Sequence, residues 1–282
     1  MKTVKELKDF ATQVRRDIIR MINNANSGHP GGALGATDYL TVLYNKFMEY
    51  DPTHFNMDGI DEDLFFLSNG HLSALWYSVL ARVGYFDIKE LATFRKINSR
   101  LQGHPTTEEG LPGIRVASGS LGQGLSASIG AALSKKLNKD NHTVYVLMGD
   151  GELQEGNIWE AAMFAAHHKV DNLIAAVDYN KKQIDGPTDE VLSLGDLEAK
   201  WKSFGWDVIV AEDGNDIEKL IYVLTEAHRR LHKEKPVVIL LKTVMGKGVD
   251  FMENDHRWHG KAPSDEETLK ALEQLPETLG DF

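Results

Sequence analysis

The residues that most clearly suggest chemistry are a carboxylate and an amide that each follow an apolar segment. Asp150 lies between two glycines directly after the run 143–148, and Asn180 follows the run 173–178. Their spacing of 30 residues is that of one βαβ unit. Neighbouring parallel strands of an open α/β sheet bring such residues together at its carboxyl edge, where these folds bind ligands. We therefore expect a shared ligand site at this edge.

The ligand that suits this pair is a diphosphate bridged to Mg²⁺. One carboxylate and one amide oxygen are too few to enclose a metal ion, but Mg²⁺ commonly takes its other oxygens from phosphates and water. The glycines beside Asp150 let backbone N–H groups come close to a phosphate. A tight turn remains the alternative for Gly-Asp-Gly alone. A calcium loop that begins at Asp178 is a second alternative, although Lys182 at its fifth position argues against it.

A second glycine-rich segment, residues 118–124, has the sequence Ser-Gly-Ser-Leu-Gly-Gln-Gly and leads into a predicted helix. A glycine-rich helix entry can bring backbone amides against a ligand, and a simple packing turn explains the same pattern. Both interpretations stay open for this segment on its residues alone.

Histidine is the other chemical signal. Four of the 11 histidines lie in loops beside glycine or proline, namely His29, His71, His104 and His259. Imidazole can hydrogen-bond the hydroxyl groups of a substrate and move protons near neutral pH. None of these four has a partner at the i, i+4 spacing that is typical of a zinc-binding helix. A lone loop histidine is usually a surface residue, but four in similar surroundings favour a common site.

The elements that must position these residues alternate along the chain. Apolar runs at 63–67, 143–148, 173–178, 208–210 and 237–241 predict buried strands, and helical periodicity separates most of them. This order predicts an α/β fold with a mostly parallel central sheet and helices on both faces. An amphipathic helix opens the chain near residue 4, and Ser264 with Glu267 forms a capping-box pattern before a C-terminal helix. We read residues 1–282 as a single domain with this helical extension.

Composition excludes several classes of function. The 282 residues include no cysteine, which rules out disulfides, thiolate metal sites and cysteine nucleophiles. The formal net charge of −11 argues against a nucleic-acid surface. The longest apolar run, residues 161–166, is far too short for a membrane span, and the charged N-terminus has no signal core. We expect a soluble cytoplasmic protein with no nucleic-acid or membrane partner.

Taken together, these motifs resemble those of a known family. The segment 149–156 with Trp159 and the triplet 178–180 is similar to the thiamine-diphosphate motif, and the details resemble transketolase in particular. Six further segments are similar to transketolase signatures and occur in the same order: 26–32, 67–71, 103–105, 119–124, 184–186 and 258–260. The resemblance covers roughly residues 5–262 and implies the thiamine-diphosphate-binding fold, with the chain as one diphosphate-binding (PP-type) domain.

The resemblance implies a role for each matching residue. The Mg²⁺ ligands would be Asp150, Asn180 and the backbone carbonyl of Lys182. The other cofactor-binding residues would be His71, Gly151 and Asn180 at the diphosphate, Gly119, Ser120 and Leu121 beside the aminopyrimidine ring, and His259. The catalytic residues would be His29, His104 and His259, which face the sugar, and Glu155, which also serves the cofactor through a carboxylate network that reaches the neighbouring subunit.

The chain also departs from the family pattern. Ser120 stands where the family usually has proline, and Lys181-Lys-Gln183 replaces a more apolar sequence. Family members are usually more than twice as long, so this chain resembles the N-terminal half of a split transketolase. The implied reaction transfers a two-carbon ketol unit from a ketose phosphate to an aldose phosphate, as in the pentose phosphate pathway. A C-terminal partner subunit with the pyrimidine-binding domain would complete an α₂β₂ heterotetramer, and this chain alone would be inactive.

Three alternatives to a transketolase subunit stay open. The chain could be a subunit of another thiamine-diphosphate enzyme, either the E1 α chain of a 2-oxo-acid dehydrogenase or a part of deoxyxylulose-phosphate synthase. It could also be a non-catalytic cofactor-binding module with a regulatory role. The Ser-Gly-His-Pro and Trp-His-Gly histidines argue against the E1 chain, and the four loop histidines together argue against a decayed enzyme.

Overall fold

A five-stranded parallel sheet forms the centre of the fold in the computed structural model, which describes residues 2–282. The strands are β1 (Leu64–Leu67), β2 (Val144–Gly149), β3 (Leu173–Asp178), β4 (Lys182–Gln183), β5 (Gly186–Pro187), β6 (Asp207–Ala211) and β7 (Val237–Leu241). The sheet has the order β1-β2-β3-β7-β6 with every pair parallel, and β4 and β5 form a small antiparallel hairpin.

Helices pack on both faces of this sheet. They are α1 (Val4–Ala25), α2 (Pro30–Gly35), α3 (Thr37–Val42), α4 (Ser73–Arg82), α5 (Gln123–Leu137), α6 (Gly156–His167), α7 (Thr188–Val191), α8 (Leu197–Ser203), α9 (Ile217–Arg230) and α10 (Asp265–Gln274). A π-helical turn spans Leu43–Phe47, and 3₁₀ turns span Gly70–Leu72, Ile88–Thr93, Gly151–Gln154 and His256–Trp258.

Alternation along the strands divides the core in two. Side chains such as Tyr145 and Leu147 point to one face, where they join a cluster with α1, α3, α4 and α9. Their neighbours Val146 and Met148 point to the other face, where they join a cluster with α5, α6 and α8. Both faces of the sheet are therefore covered, as continuous apolar strands require. The predicted α/β fold is confirmed.

The predicted elements agree with the structure to within one or two residues at most ends. The capping box of α10 is present, since Ser264 accepts from the backbone N–H of Glu267 and the Glu267 carboxylate accepts from that of Ser264. The segment 26–32, expected to be a loop, instead begins a helix at Pro30. Among residues 2–282, no helix has the length and the apolar character that crossing a membrane requires.

The glycine-rich segment enters α5 at a point of very close packing. A Cβ added to Gly124 would lie 2.3–2.6 Å from the side chain and Cα of Ser68 at the end of β1. Gly130, in the same helix, has nothing within 4 Å of such an atom. The first glycine therefore lets α5 approach the sheet, whereas the second has no packing role.

We expect Gly124→Ala to lower the free energy of unfolding by about 2 kcal/mol, because the backbone of Ser68 cannot move away cheaply. Gly130→Ala, the matched control, should raise it by about 0.5–1 kcal/mol, because alanine favours a helix over glycine. Urea unfolding followed by circular dichroism measures both. Equal effects of the two substitutions would show that the contact with Ser68 does not limit the packing.

Candidate active site

The carboxyl ends of β2 and β3 bring Asp150 and Asn180 together. The two strands are parallel neighbours, and Gly149 is in register with Asp178. The backbone N–H of Asp150 donates to the carbonyl of Asp178 at 3.3 Å, and Asn180 Nδ2 donates to Asp178 Oδ2 at 2.8 Å. The expected convergence at this edge of the sheet is confirmed. It also includes a second carboxylate, that of Asp178.

Both carboxylates, of Asp150 and of Asp178, are buried. Burial and then the neighbouring Asp178 raise the pKa of Asp150 well above its ordinary value, although the N–H groups of Lys181 (2.5 Å) and Gly151 (2.7 Å) donate to it. Burial raises the pKa of Asp178 to about 6, against hydrogen bonds from Thr243 and Asn180. A divalent cation would relieve this repulsion, so the donor set fits Mg²⁺.

The four loop histidines converge beside these carboxylates. Ring centroids lie 5.1 Å apart for His29 and His71, 6.3 Å for His29 and His104, and 5.7 Å for His29 and His259. Those of His71 and His259 are 5.1 Å apart. Residues from four separate loops thus form one cluster, which the sequence alone only suggested.

Arg95 connects two of the loops that carry these histidines. Its Nη1 donates to Ser27 Oγ at 2.8 Å, and its Nη2 donates to the carbonyl of Gly103 at 3.0 Å. Ser27 lies two residues before His29, and Gly103 directly precedes His104. The guanidinium therefore fixes both loops and places a positive charge next to the imidazoles.

The histidines are held in the neutral form. Burial first, and then His259, Arg95 and His104, lower the pKa of His29 to about 4. Burial likewise lowers the pKa of His71 well below 6.5 and lowers those of His104 and His259. A neutral imidazole can donate from one ring nitrogen and accept at the other, which suits hydrogen bonds to sugar hydroxyls.

A cavity of about 330 Å³ unites these groups. The predicted site residues that line it are His29, His71, His104, Gly119, Leu121, Asp150, Gly151, Glu155, Asn180, Lys182 and His259. Ser120 is exposed and is not part of the lining, so only its neighbours in the glycine-rich segment face the cavity. Glu155 also lines the cavity and is exposed.

Sequence reasoning missed Glu152, which organises this end of the cavity. Its buried carboxylate accepts from Ser68 Oγ, from the backbone N–H of Gly122 at 2.8 Å and from that of Gly149 at 3.0 Å. Burial raises its pKa against these hydrogen bonds. One side chain thus links the end of β1, the glycine-rich segment and the end of β2. Two of its partners, Ser68 and Gly122, are distant in sequence, so only the position of Glu152 in the motif could have indicated its role.

Several buried polar atoms at the cavity lack a hydrogen-bond partner within residues 2–282. They are Oδ1 and Nδ2 of Asn69 and the Nδ1 atoms of His29 and His259. Buried polar groups in folded proteins normally have partners, so such atoms call for a ligand. Together with the carboxylates, they make the cavity fit a polar, metal-bridged cofactor.

A second group of acidic residues lies elsewhere. Ligand atoms of Asp61, Asp140 and His142 lie within 4.8 Å of one another, at the amino ends of β1 and β2 and therefore at the opposite edge of the sheet. Lys135 Nζ already donates to Asp140 at 2.6 Å. An ammonium group thus fills the cationic position here, and this group is separate from the predicted Mg²⁺ ligands.

The chain is an α/β domain with a parallel sheet, and its cavity lies at the carboxyl edge, where such folds bind ligands. Residues 7–277 match the family model for the thiamine diphosphate binding domain of transketolase. The chain belongs to the transketolase family.

Relatives of this chain fall into two length groups. It is 37% identical over 276 residues to one subunit of the apulose-4-phosphate transketolase of Phocaeicola vulgatus, covering 98% of this chain and 96% of that protein. It is 38% identical over 270 residues to the SqwG subunit of the 6-deoxy-6-sulfo-D-fructose transketolase of a Clostridium species, covering 96% of each. The match to Homo sapiens transketolase is 37% over 262 residues and covers 92% of this chain but 40% of that one.

Solved transketolase structures share the fold. The enzyme from Leishmania mexicana superposes with a TM-score of 0.89 at 29% identity, over 100% of this chain and 42% of that one. The enzyme from Campylobacter jejuni gives 0.87 at 33% identity, over 98% and 43%. This chain therefore spans about two-fifths of the length of these enzymes.

The neutral histidine cluster predicts a pH dependence of stability. Above pH 6.5 the imidazole of His29 is neutral in both the folded and the unfolded chain. Below pH 6.5 the unfolded chain binds a proton there, whereas the folded chain binds it only near its lowered pKa of about 4. Stability should therefore fall as the pH falls through this interval. His29→Phe, which cannot titrate, should show a shallower fall in urea unfolding between pH 7 and pH 4.5. Parallel curves for the two proteins would contradict this assignment.

Proposed function

We propose that this chain is the thiamine-diphosphate-binding subunit of a two-chain transketolase, which transfers a two-carbon ketol unit from a ketose phosphate to an aldose phosphate. The observation that carries the proposal is the convergence of Asp150 and Asn180 with four neutral loop histidines around one cavity. The match in length with relatives named as subunits supports the two-chain form.

Mg²⁺ and the cofactor diphosphate would be held at the carboxyl edge of the sheet. Asp150, Asn180 Oδ1 and the carbonyl of Lys182 are the proposed metal ligands, and His71 and Gly151 the proposed diphosphate contacts. The buried carboxylates of Asp150 and Asp178 support the first assignment, because they favour a cation in their midst. Gly119, Ser120 and Leu121 would lie beside the aminopyrimidine, and Glu152 holds their segment in place through the N–H of Gly122.

When bound, thiamine diphosphate supplies the carbon nucleophile and the electron sink for breaking and forming the carbon–carbon bond. The histidines of this chain bind and orient the sugar. His29, His104 and His259 would hydrogen-bond its hydroxyls, and His29 and His259 would accept and return protons at their ring nitrogens. Their lowered pKa values support the hydrogen bonds to the sugar, because a neutral imidazole can both donate and accept.

The proposed substrates are sugars that carry an anionic group. Two relatives are named for apulose 4-phosphate and for 6-deoxy-6-sulfo-D-fructose, which carry a phosphate and a sulfonate. Both names extend the range of candidate substrates beyond the pentose phosphate pathway. Within this class, the proposed donor is a ketose phosphate and the proposed acceptor an aldose phosphate, and the proposed compartment is the cytoplasm.

A second chain would cover the open side of the site. Helix α6 exposes Met163 and Phe164 at 56% and 47%, and Ile184 and Leu192 near the cavity are exposed at 60% and 58%. Adjacent exposed apolar side chains, such as Met163 and Phe164, support a protein contact on this surface. The proposed occupant is a C-terminal transketolase subunit with the pyrimidine-binding domain, which Glu155 would contact in an α₂β₂ assembly.

Replacement of the charged metal ligand tests the cofactor site. We expect Asp150→Asn to fold normally, because the lost carboxylate is buried beside another, and to weaken binding of thiamine diphosphate in Mg²⁺ by more than tenfold, about 1.4 kcal/mol. Isothermal titration calorimetry measures the affinity. Asp189→Asn, an exposed carboxylate outside the cavity, is the matched control. Unchanged affinity in folded Asp150→Asn would remove Asp150 from the ligand set.

Activity of the isolated chain tests the two-chain form. We expect no ketol transfer from this chain alone, saturated with Mg²⁺ and thiamine diphosphate, because the group that activates the aminopyrimidine would lie on the partner. Coexpression with a chain that carries the pyrimidine-binding domain should restore transfer, measured with coupled sugar phosphate assays. Robust turnover without a second chain would overturn the proposal.

A further inference from the structure

Asn69 is a buried amide that the fold leaves without a partner. It follows β1, is 0% exposed and lines the cavity with Asp150 and Asn180. Neither its Oδ1 nor its Nδ2 has a hydrogen-bond partner within residues 2–282. Burying an unpaired amide costs about 1–3 kcal/mol, so the chain retains this side chain against its own stability.

Local structure does not explain why an asparagine occupies position 69. Asn69 precedes the 3₁₀ turn Gly70–Leu72, where an asparagine often accepts from a nearby backbone N–H, but its side chain makes no such bond. The adjacent Ser68 is engaged by Glu152. The amide of Asn69 is therefore free of both capping and the Glu152 network.

Sheet order gives the amide a defined place. Asn69 follows β1, Asp150 follows β2 and Asn180 follows β3, and these three strands are neighbours in that order. A Cβ added to Gly149 would lie 3.7 Å from Asn69 Nδ2, so the amide lies directly beside the residue before Asp150. Asp150 thus has one amide side chain on each side, and that of Asn69 has no partner in the fold.

We propose that Asn69 is a further cofactor-binding residue, whose Nδ2 donates a hydrogen bond to the diphosphate. The inference rests on the proposed function, since it requires this cavity to hold a metal-bound diphosphate. An amide N–H₂ group is a neutral donor, so it can bind an anion without competing with Mg²⁺ for the carboxylates. A hydrogen bond to a charged group contributes about 1.5–3 kcal/mol, which is similar to the cost of leaving the amide unpaired in the free chain.

The test uses Asn69→Leu in the full chain. Leucine has a similar shape without polar atoms, so the ligand-free variant should be at least as stable as the wild type in urea unfolding. Its affinity for Mg²⁺–pyrophosphate and for Mg²⁺–thiamine diphosphate, measured by calorimetry, should each fall about tenfold or more. A residue with only a structural role would not give unchanged stability together with lost affinity.

Two further variants keep the experiment decisive. Asn69→Ala serves if the leucine variant does not fold, and it should show the same loss of affinity. Asn172→Ala is the matched control, because Asn172 is also buried and has an unpartnered Oδ1 but lies at the amino end of β3 outside the cavity. It should lose stability without losing affinity.

The outcomes separate this inference from the proposed function. If the wild-type chain binds both probes and Asn69→Leu binds them equally well, the role of Asn69 is overturned while the function stands. If the variant loses affinity for thiamine diphosphate but not for pyrophosphate, the diphosphate contact is wrong. An equal loss in Asn172→Ala would make the effect structural and overturn the inference. If the wild type binds neither probe, the proposed function fails, and the inference fails with it.

Discussion

Two carboxylates buried side by side, Asp150 and Asp178, are the constraint on which the arrangement of this site depends. Burial disfavours the charged form of both, and the nearby Asp178 further disfavours that of Asp150. The parallel pairing of β2 and β3 enforces their proximity through the register of Gly149 with Asp178. Backbone N–H groups, Thr243 and Asn180 compensate only in part. The carboxyl edge of the sheet therefore favours a bound cation.

Much of the fold could be predicted from the sequence because its signals are local. Buried strands appear as apolar runs, and α10 begins where Ser264 and Glu267 cap it. Helix α2 could not be predicted in this way, since Pro30-Gly-Gly is typical of a loop. Its glycines are needed for tertiary contacts: a Cβ on Gly31 would lie 2.8 Å from Met245, and one on Gly35 would lie 3.0 Å from the carbonyl of Val244.

The site shows the same division between local and distant signals. Asp150 and Asn180 were predictable because each follows a strand and the two strands were expected to be neighbours. The same argument applies to Asn69 after β1, but in that motif only His71, two residues later, was predicted as a site residue. Glu152 was not predictable, because its partner Ser68 is 84 residues away. No sequence pattern indicates that a carboxylate is buried and accepts hydrogen bonds from three segments. The convergence of the histidines likewise depends on loops whose shape the sequence does not encode locally.

The two edges of the sheet differ in how their polar groups are satisfied, and this difference bears on how such a protein can diverge. At the amino edge, Asp63 accepts from the N–H groups of Glu49 and Thr143, and Lys135 pairs with Asp140. Mutational drift there is restrained by folding alone. At the carboxyl edge the loops of His29, His104 and His259 are separate from the strand pairing, and Arg95 joins the first two. The proposed ligands would restrain all three. Selection can therefore reshape specificity in these loops while the stabilising contacts at the opposite edge stay unchanged.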